Sequence, residues 1–277
     1  DYEAAGANFD RAEELRPLYQ FDFESIREEV WIDLYQSAIP SVNSGDYEGA
    51  AAIYVSANAI YTQRPEAMIM LSQIQAQLGQ YDESVENIDA AFAILDSDIM
   101  LETDEETAAS WREQAQPLPA LRAQVLAAAG RYEEAIADYR TLLVDDPTNT
   151  QAKRDLATML IQTGSEAEGF EVFEELLQDP ALSGEDLYAI GVGFYQGSAY
   201  GRAATAFQMA GEKNRYDRDS IELWARSLQL DSAYADVPEA ADRWIELDPS
   251  SVTAHLVLAQ AVNAMEDAEG TGDVVRE

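Results

Sequence analysis

Residues 45–57 read Gly-Asp-Tyr-Glu-Gly-Ala-Ala-Ala-Ile-Tyr-Val-Ser-Ala. Adding 34 to each number gives Gly79-Gln80-Tyr81, then Ser84, Ile88 and Ala91. The same step takes Gly130 to Gly164, then to Ser198-Ala199-Tyr200 with Ala203, Phe207 and Ala210, and on to Ser232-Ala233-Tyr234 with Trp244 and Pro249. The unit at Gly130 continues Arg131-Tyr132, Ala135, Tyr139, Leu142 and Pro147. Only the interval from Gly79 to Gly130 breaks phase, and it is 34 plus 17.

Each unit is a pair of amphipathic helices. The glycine ends the first helix, where a left-handed cap favours Gly. The aromatic two residues later packs between the paired helices. The small residue three further on (Ala50, Ala135, Ala203) lets helix axes approach. Tyr54, Tyr139, Phe173 and Phe207 bury their rings against the next unit. Pro65, Pro147, Pro180 and Pro249 punctuate the boundaries, because a helix does not run through them. One unit cannot bury its own apolar face; stacked neighbours do so.

A 34-residue helix–turn–helix with Gly and Tyr at its turn resembles the tetratricopeptide repeat family. The resemblance spans about residues 31–264 and implies an all-α, right-handed superhelical solenoid whose concave face binds proteins or peptides. The chain divides accordingly. Residues 1–30 form a half repeat of second-helix type with a linker, and 31–96 form units one and two. Residues 97–115 are a helical insertion, 116–251 form units three to six, 252–265 a half repeat of first-helix type, and 266–277 a flexible tail. Within the insertion, Thr103 and Glu106 read as a capping box for a helix over 104–115, and Pro117 and Pro119 start the next helix. Unit four, with Glu166 in the aromatic slot and Gly169 in the small slot, is expected to pack loosely. Pro238 is expected to delay the second helix of unit six.

Composition excludes several kinds of function. The chain has 277 residues, 17 Lys+Arg against 53 Asp+Glu, a net charge of −36, one His and no Cys. Such a surface repels nucleic-acid phosphate and anionic lipid. Without Cys there is no thiol nucleophile and no thiolate metal site, and one His builds no His-rich zinc site. No apolar run is long enough to span a bilayer. Lys153 and Lys213 are the only lysines. Abundant acid with little Lys suits a salty setting, where ions screen self-repulsion. An extracellular or periplasmic location fits, as does the cytoplasm of a salt-adapted organism. The sequence opens at Asp1 without a visible signal peptide, so a mature exported protein and a fragment both fit.

No catalytic, cofactor or metal residues are assigned. His255 falls in a helix slot often filled by an aromatic. The Gly191-Val192-Gly193 stretch lacks the Lys and strand of a phosphate loop; Gly191 falls in a small-residue slot, and Gly193 has no sequence-level explanation. The acidic run 102–106 lacks the alternating ligands of a calcium loop. The acidic surface as a whole would hold divalent cations only non-specifically.

Two surfaces remain. Register counting places Tyr35, Ile39, Ile69, Gln73, Gln77, Gln124, Arg154, Tyr188, Val192, Tyr195, Arg226 and Gln229 on the concave groove, where Tyr and Arg suit a peptide or partner protein. The second surface is the pair of ends. Phe9, Ala12, Leu15 and Tyr19 belong to a second helix without its partner, opening at Phe9. His255, Leu256, Leu258 and Val262 belong to a first helix without its partner. Together they would complete one unit, so a non-enzymatic scaffold that joins head to tail into a fibre or ring is the favoured expectation. A monomeric adaptor with a peptide in its groove is the alternative. Repulsion between chains of like charge predicts assembly that strengthens with salt.

Overall fold

A computed structural model describes residues 1–274, with side chains described for 1–267. Every regular element among them is a helix. The chain divides into two compact units, residues 1–144 and 145–277.

The first unit contains α1 (Tyr2–Leu15), α2 (Tyr19–Ser44), α3 (Tyr47–Ile60), α4 (Glu66–Gln77), α5 (Tyr81–Leu95), α6 (Ile99–Glu102), α7 (Glu105–Ala115), α8 (Leu118–Ala128) and α9 (Tyr132–Asp145). The second contains α10 (Thr150–Gln162), α11 (Glu166–Leu176), α12 (Gly184–Gln196), α13 (Tyr200–Lys213), α14 (Arg218–Leu230), α15 (Val237–Leu247) and α16 (Val252–Val274). Consecutive helices pack in pairs as repeats: α2 with α3, α4 with α5, α10 with α11, α12 with α13, and α14 with α15. The pair α8 and α9 follows the same order around Gly130.

The turn inside each pair has one geometry. Gly45, Gly79, Gly130 and Gly164 have φ of +76°, +74°, +76° and +84°. The residue after each reaches back across the helix end, as Asp46 N–H does to Ser41 O at 2.9 Å and Arg131 N–H to Leu126 O at 2.8 Å. This left-handed closure satisfies carbonyls that the helix end would leave bare. Units five and six keep it without glycine: Ser198 and Ser232 stand at φ +59° and +60°. The second helix then opens on the aromatic residue at Tyr47, Tyr81, Tyr132 and Tyr200. Tyr54, Tyr139, Phe173 and Phe207 are buried, with Ala50, Ala135 and Ala203 beside them in the core.

Several expectations are corrected. Unit four is not loose. A Cβ at Gly169 would lie 2.8 Å from both Ala157 O and Ile161 Cγ1, so the glycine records a close approach of α11 to α10. Residues 19–30 are not a linker. No Gly or Pro interrupts residues 18–39, and α2 runs 26 residues through Pro40. Phe9 lies in the middle of α1 and does not open it; that helix starts at Tyr2, where the Asp1 carboxylate accepts from Ala4 N–H at 3.3 Å. Asp104, not Thr103, caps α7, accepting from Thr107 N–H at 3.0 Å. The expected tail is helical as far as Val274; residues 275–277 lie outside the described residues. Pro238 sits in the first turn of α15, which starts at Val237, three residues after the register position Tyr234.

Gly191 and Gly193 make room for rings. A Cβ at Gly191 would lie 2.7 Å from the Phe207 ring, and one at Gly193 2.3 Å from the Phe173 ring. The pair thus lets α12 approach α13 and α11 at once, and its role is packing.

Candidate interaction surfaces

The first helix of each pair carries the residues that register counting places on the groove. In the first unit, Tyr35 stacks flat on Trp31, with centroids 5.0 Å apart and planes at 9°, and leans on Tyr54 at 5.5 Å. Burial raises its phenol pKa, helped by Glu66 and opposed by Arg64. Gln73 is half-buried, while Ile39, Gln77 and Gln124 are exposed. Ile69 does not line an open groove: it is 2% exposed and shares a buried cluster with Ala108, Trp111 and Ala115 of α7. The inserted helix covers it.

In the second unit the charged groove residues are already paired. Arg154 donates to Asp186 at 2.6 Å, joining α10 to α12. Arg226 pairs with Glu222 one turn earlier at 2.7 Å and lies over the Trp244 ring at 5.8 Å. Gln229 on α14 donates to Gln260 on α16. Tyr195 meets Tyr200 edge-on at 5.3 Å, and Val192 is half-buried. Tyr188 packs edge-on against Phe207 at 5.7 Å and faces a cleft of about 550 Å³. Ser183, Glu185, Lys213, Asn214, Asp217 and Asp219 also line that cleft. Burial raises the Tyr188 pKa, with Asp219 and Asp217 adding to it. The sequence reading missed Asp186 and Glu222 as partners. For Glu222 the four-residue spacing to Arg226 on one helix was a usable signal.

The first unit also holds a charged hub. Arg64 bonds Glu28 at 2.9 Å and Glu66 at 2.7 Å. Its guanidinium lies 4.8 Å from the Trp31 ring and 5.7 Å from the Trp111 ring. It thereby ties α2, α4 and α7 together.

At the N-terminal corner the expected half repeat has local partners. Gly6 of α1 sits so close to α3 that a Cβ there would lie 1.9 Å from Ala59 O. Phe9 packs edge-on against Phe23 at 5.1 Å, and Arg27 bridges from α2 to Asp10 at 2.7 Å and Glu13 at 3.2 Å. Ala12 and Tyr19 are half-buried, Tyr19 lying 5.3 Å from Phe23. The expectation of a second helix without a partner is therefore corrected: α1 packs on α3 and against the N-terminal half of α2. What stays bare is an apolar ridge of Leu15, Leu18, Phe21 and Ile26. On α16, Ala254, Val257 and Ala261 are buried and Leu258 packs beside them. Val252, Leu256 and Val262 are exposed, and His255 turns its Nε2 to Pro249 O at 3.1 Å.

Comparison with known proteins decides the family. Two tetratricopeptide repeat family models match, one over residues 42–99 and the other over residues 121–186. The chain belongs to the tetratricopeptide repeat family. Solved tetratricopeptide repeat structures share its fold. One is the C-terminal part of a repeat-containing protein from Cytophaga hutchinsonii, 15% identical, covering 82% of this chain and 84% of that one at a TM-score of 0.60. Another is a tetratricopeptide repeat protein from Parabacteroides merdae, 16% identical, covering 88% and 94% at a TM-score of 0.56. At such identities the likeness is one of fold. No curated protein sequence matches this one. Tetratricopeptide repeats are typically non-catalytic scaffolds for protein–protein interaction, and this chain has that architecture. No helix among the described residues is long and apolar enough to cross a membrane.

Proposed function

We propose that this chain is a non-enzymatic structural subunit that associates with copies of itself, the ridge at the α1–α2 corner of one copy docking on the outer face of α16 in the next. One observation carries the reading. Of the fifteen large hydrophobic residues exposed among the described residues, seven lie in these two places: Leu15, Leu18, Phe21 and Ile26, and Val252, Leu256 and Val262. Clustered apolar exposure marks interfaces, whereas scattered exposure does not. Two different faces joined in this way make a heterologous contact, which runs on as a fibre or closes as a ring. The groove offers less, since its Arg residues and most of its Tyr residues are engaged internally.

Sedimentation velocity against protein concentration and salt tests the reading. Self-association is expected to grow with salt, because chains of net charge −36 repel one another, and Leu256→Asp or Phe21→Asp is expected to abolish it. A chain that stays monomeric at high concentration, in low and high salt alike, sinks the proposal. The second reading, a monomeric adaptor, is favoured by the cleft at Tyr188 and predicts peptide capture that Tyr188→Ala removes. A salt-exposed extracellular or periplasmic location, or a salt-rich cytoplasm, accords with the acidic surface.

A further inference from the structure

The insertion between Leu95 and Leu118 lies outside the repeat period. Removing 17 residues would restore the 34-residue step from Gly79 to Gly130, so the pairs α4–α5 and α8–α9 are complete helix–turn–helix units without it. Yet α7 is not idle. Its Ala108, Trp111 and Ala115, spaced i, i+3 and i+7, are all buried. They share a cluster with Met68 and Ile69 of α4 and Ile88 of α5. Ile69 occupies the register held by Tyr35 and Tyr188, both of which keep part of their surface open. The spacing is that of an amphipathic helix laid into a groove. The opposite face of α7, with Glu105, Arg112 and Glu113, is exposed.

α7 sits on the repeats as a separate short helix, held by one buried face and by the Arg64 guanidinium over Trp111. A helix of eleven residues is marginal without its packing.

We propose that the α4–α5 face is a helix-binding seat, filled in the resting chain by α7, and that a partner's amphipathic helix with a Trp flanked by small residues at the same spacing displaces it. This seat is separate from the end faces, so its test is independent of self-association.

Hydrogen exchange on the unsubstituted chain gives the first test. Amides of 105–115 are expected to exchange about 100-fold faster than those of α4 and α5, through local opening. The second uses a fluorescent peptide of residues 104–116. It is expected to bind Trp111→Ala about 100-fold more tightly than the unsubstituted chain, whose tethered helix competes at high effective concentration. The same peptide with its Trp replaced by Ala is expected not to bind. Exchange of 105–115 at the rate of α4 and α5 overturns the proposal, as does a folded Trp111→Ala chain that ignores the peptide. Should that substitution unfold the repeats, the exchange rates of the unsubstituted chain decide alone.

Discussion

Phe173 and Gly193 share a space that no side chain at 193 could enter, since a Cβ there would lie 2.3 Å from Cε2 of the ring. The ring is wholly buried and also meets Phe194 edge-on at 5.3 Å, so it has no free direction in which to retreat. Gly193→Ala is therefore expected to destabilise the second unit by about 1–3 kcal/mol, the usual cost of overpacking. Urea unfolding measures it. Adding Phe173→Leu should recover part of the loss; a double variant no better than the sum of the two single changes would contradict the shared-space account.

Ser198 and Ser232 hold a backbone conformation that L residues adopt at a cost. The four other units place Gly at that turn. Ser198→Gly and Ser232→Gly are each expected to raise stability by about 0.5–1 kcal/mol, seen as a higher Tm. A lower Tm would mean that the serine hydroxyls contribute more than the backbone loses.

Arg64 is the partner of a carboxylate that is nearly buried, for the Glu66 side chain is only 9% exposed. Arg64→Ala leaves that charge without compensation and is expected to cost about 3–5 kcal/mol. Adding Glu66→Gln should restore much of it, and thermal unfolding of the single and double variants separates the two effects.

The phenols of the first unit predict an alkaline limit. Tyr54 and Tyr61 are pushed up to about 12, Tyr54 by burial and then by Tyr35, Tyr61 by burial and then by Glu28 and Glu24. An unfolded Tyr titrates near 10, so the native state holds the protons longer. Their contribution is fully present below about pH 10 and is lost as pH rises towards about 12. Tyrosinate absorbance should show these phenols ionising together with the loss of helical circular dichroism. Ionisation well before unfolding would contradict their burial.

The repeat was legible because each landmark reports a local constraint. A left-handed turn asks for Gly, a close helix crossing asks for Ala, and a boundary asks for Pro. Those constraints recur at 34 residues whatever lies between. The misreadings came from places where tertiary packing overrides a slot. Glu166 and Gly169 depart from the pattern, yet Gly169 marks a close helix approach, and only the position of Ile161 reveals it. Phe9 imitates an opening aromatic but sits mid-helix against Phe23. Register counting puts Ile69 on the groove, yet it is closed off, because nothing in a local pattern says where an insertion folds back. Spacing alone offers Arg154 as a groove candidate, whereas its partner Asp186 lies 32 residues away and emerges only from the fold.

The unbroken run of α2 has a mechanical consequence. Twenty-six residues at about 1.5 Å each make a rod of about 39 Å. It is braced by α1 through Phe23 and Arg27, and by α3, so a pull applied at Phe21 reaches the first repeat through a strut and not through a tether. The rod's one intrinsic weak point is Pro40, which supplies no N–H to the helical ladder. Bending of the N-terminal corner should concentrate there, and the length of α2 makes a small bend into a large sideways sweep of Phe21 and its neighbours.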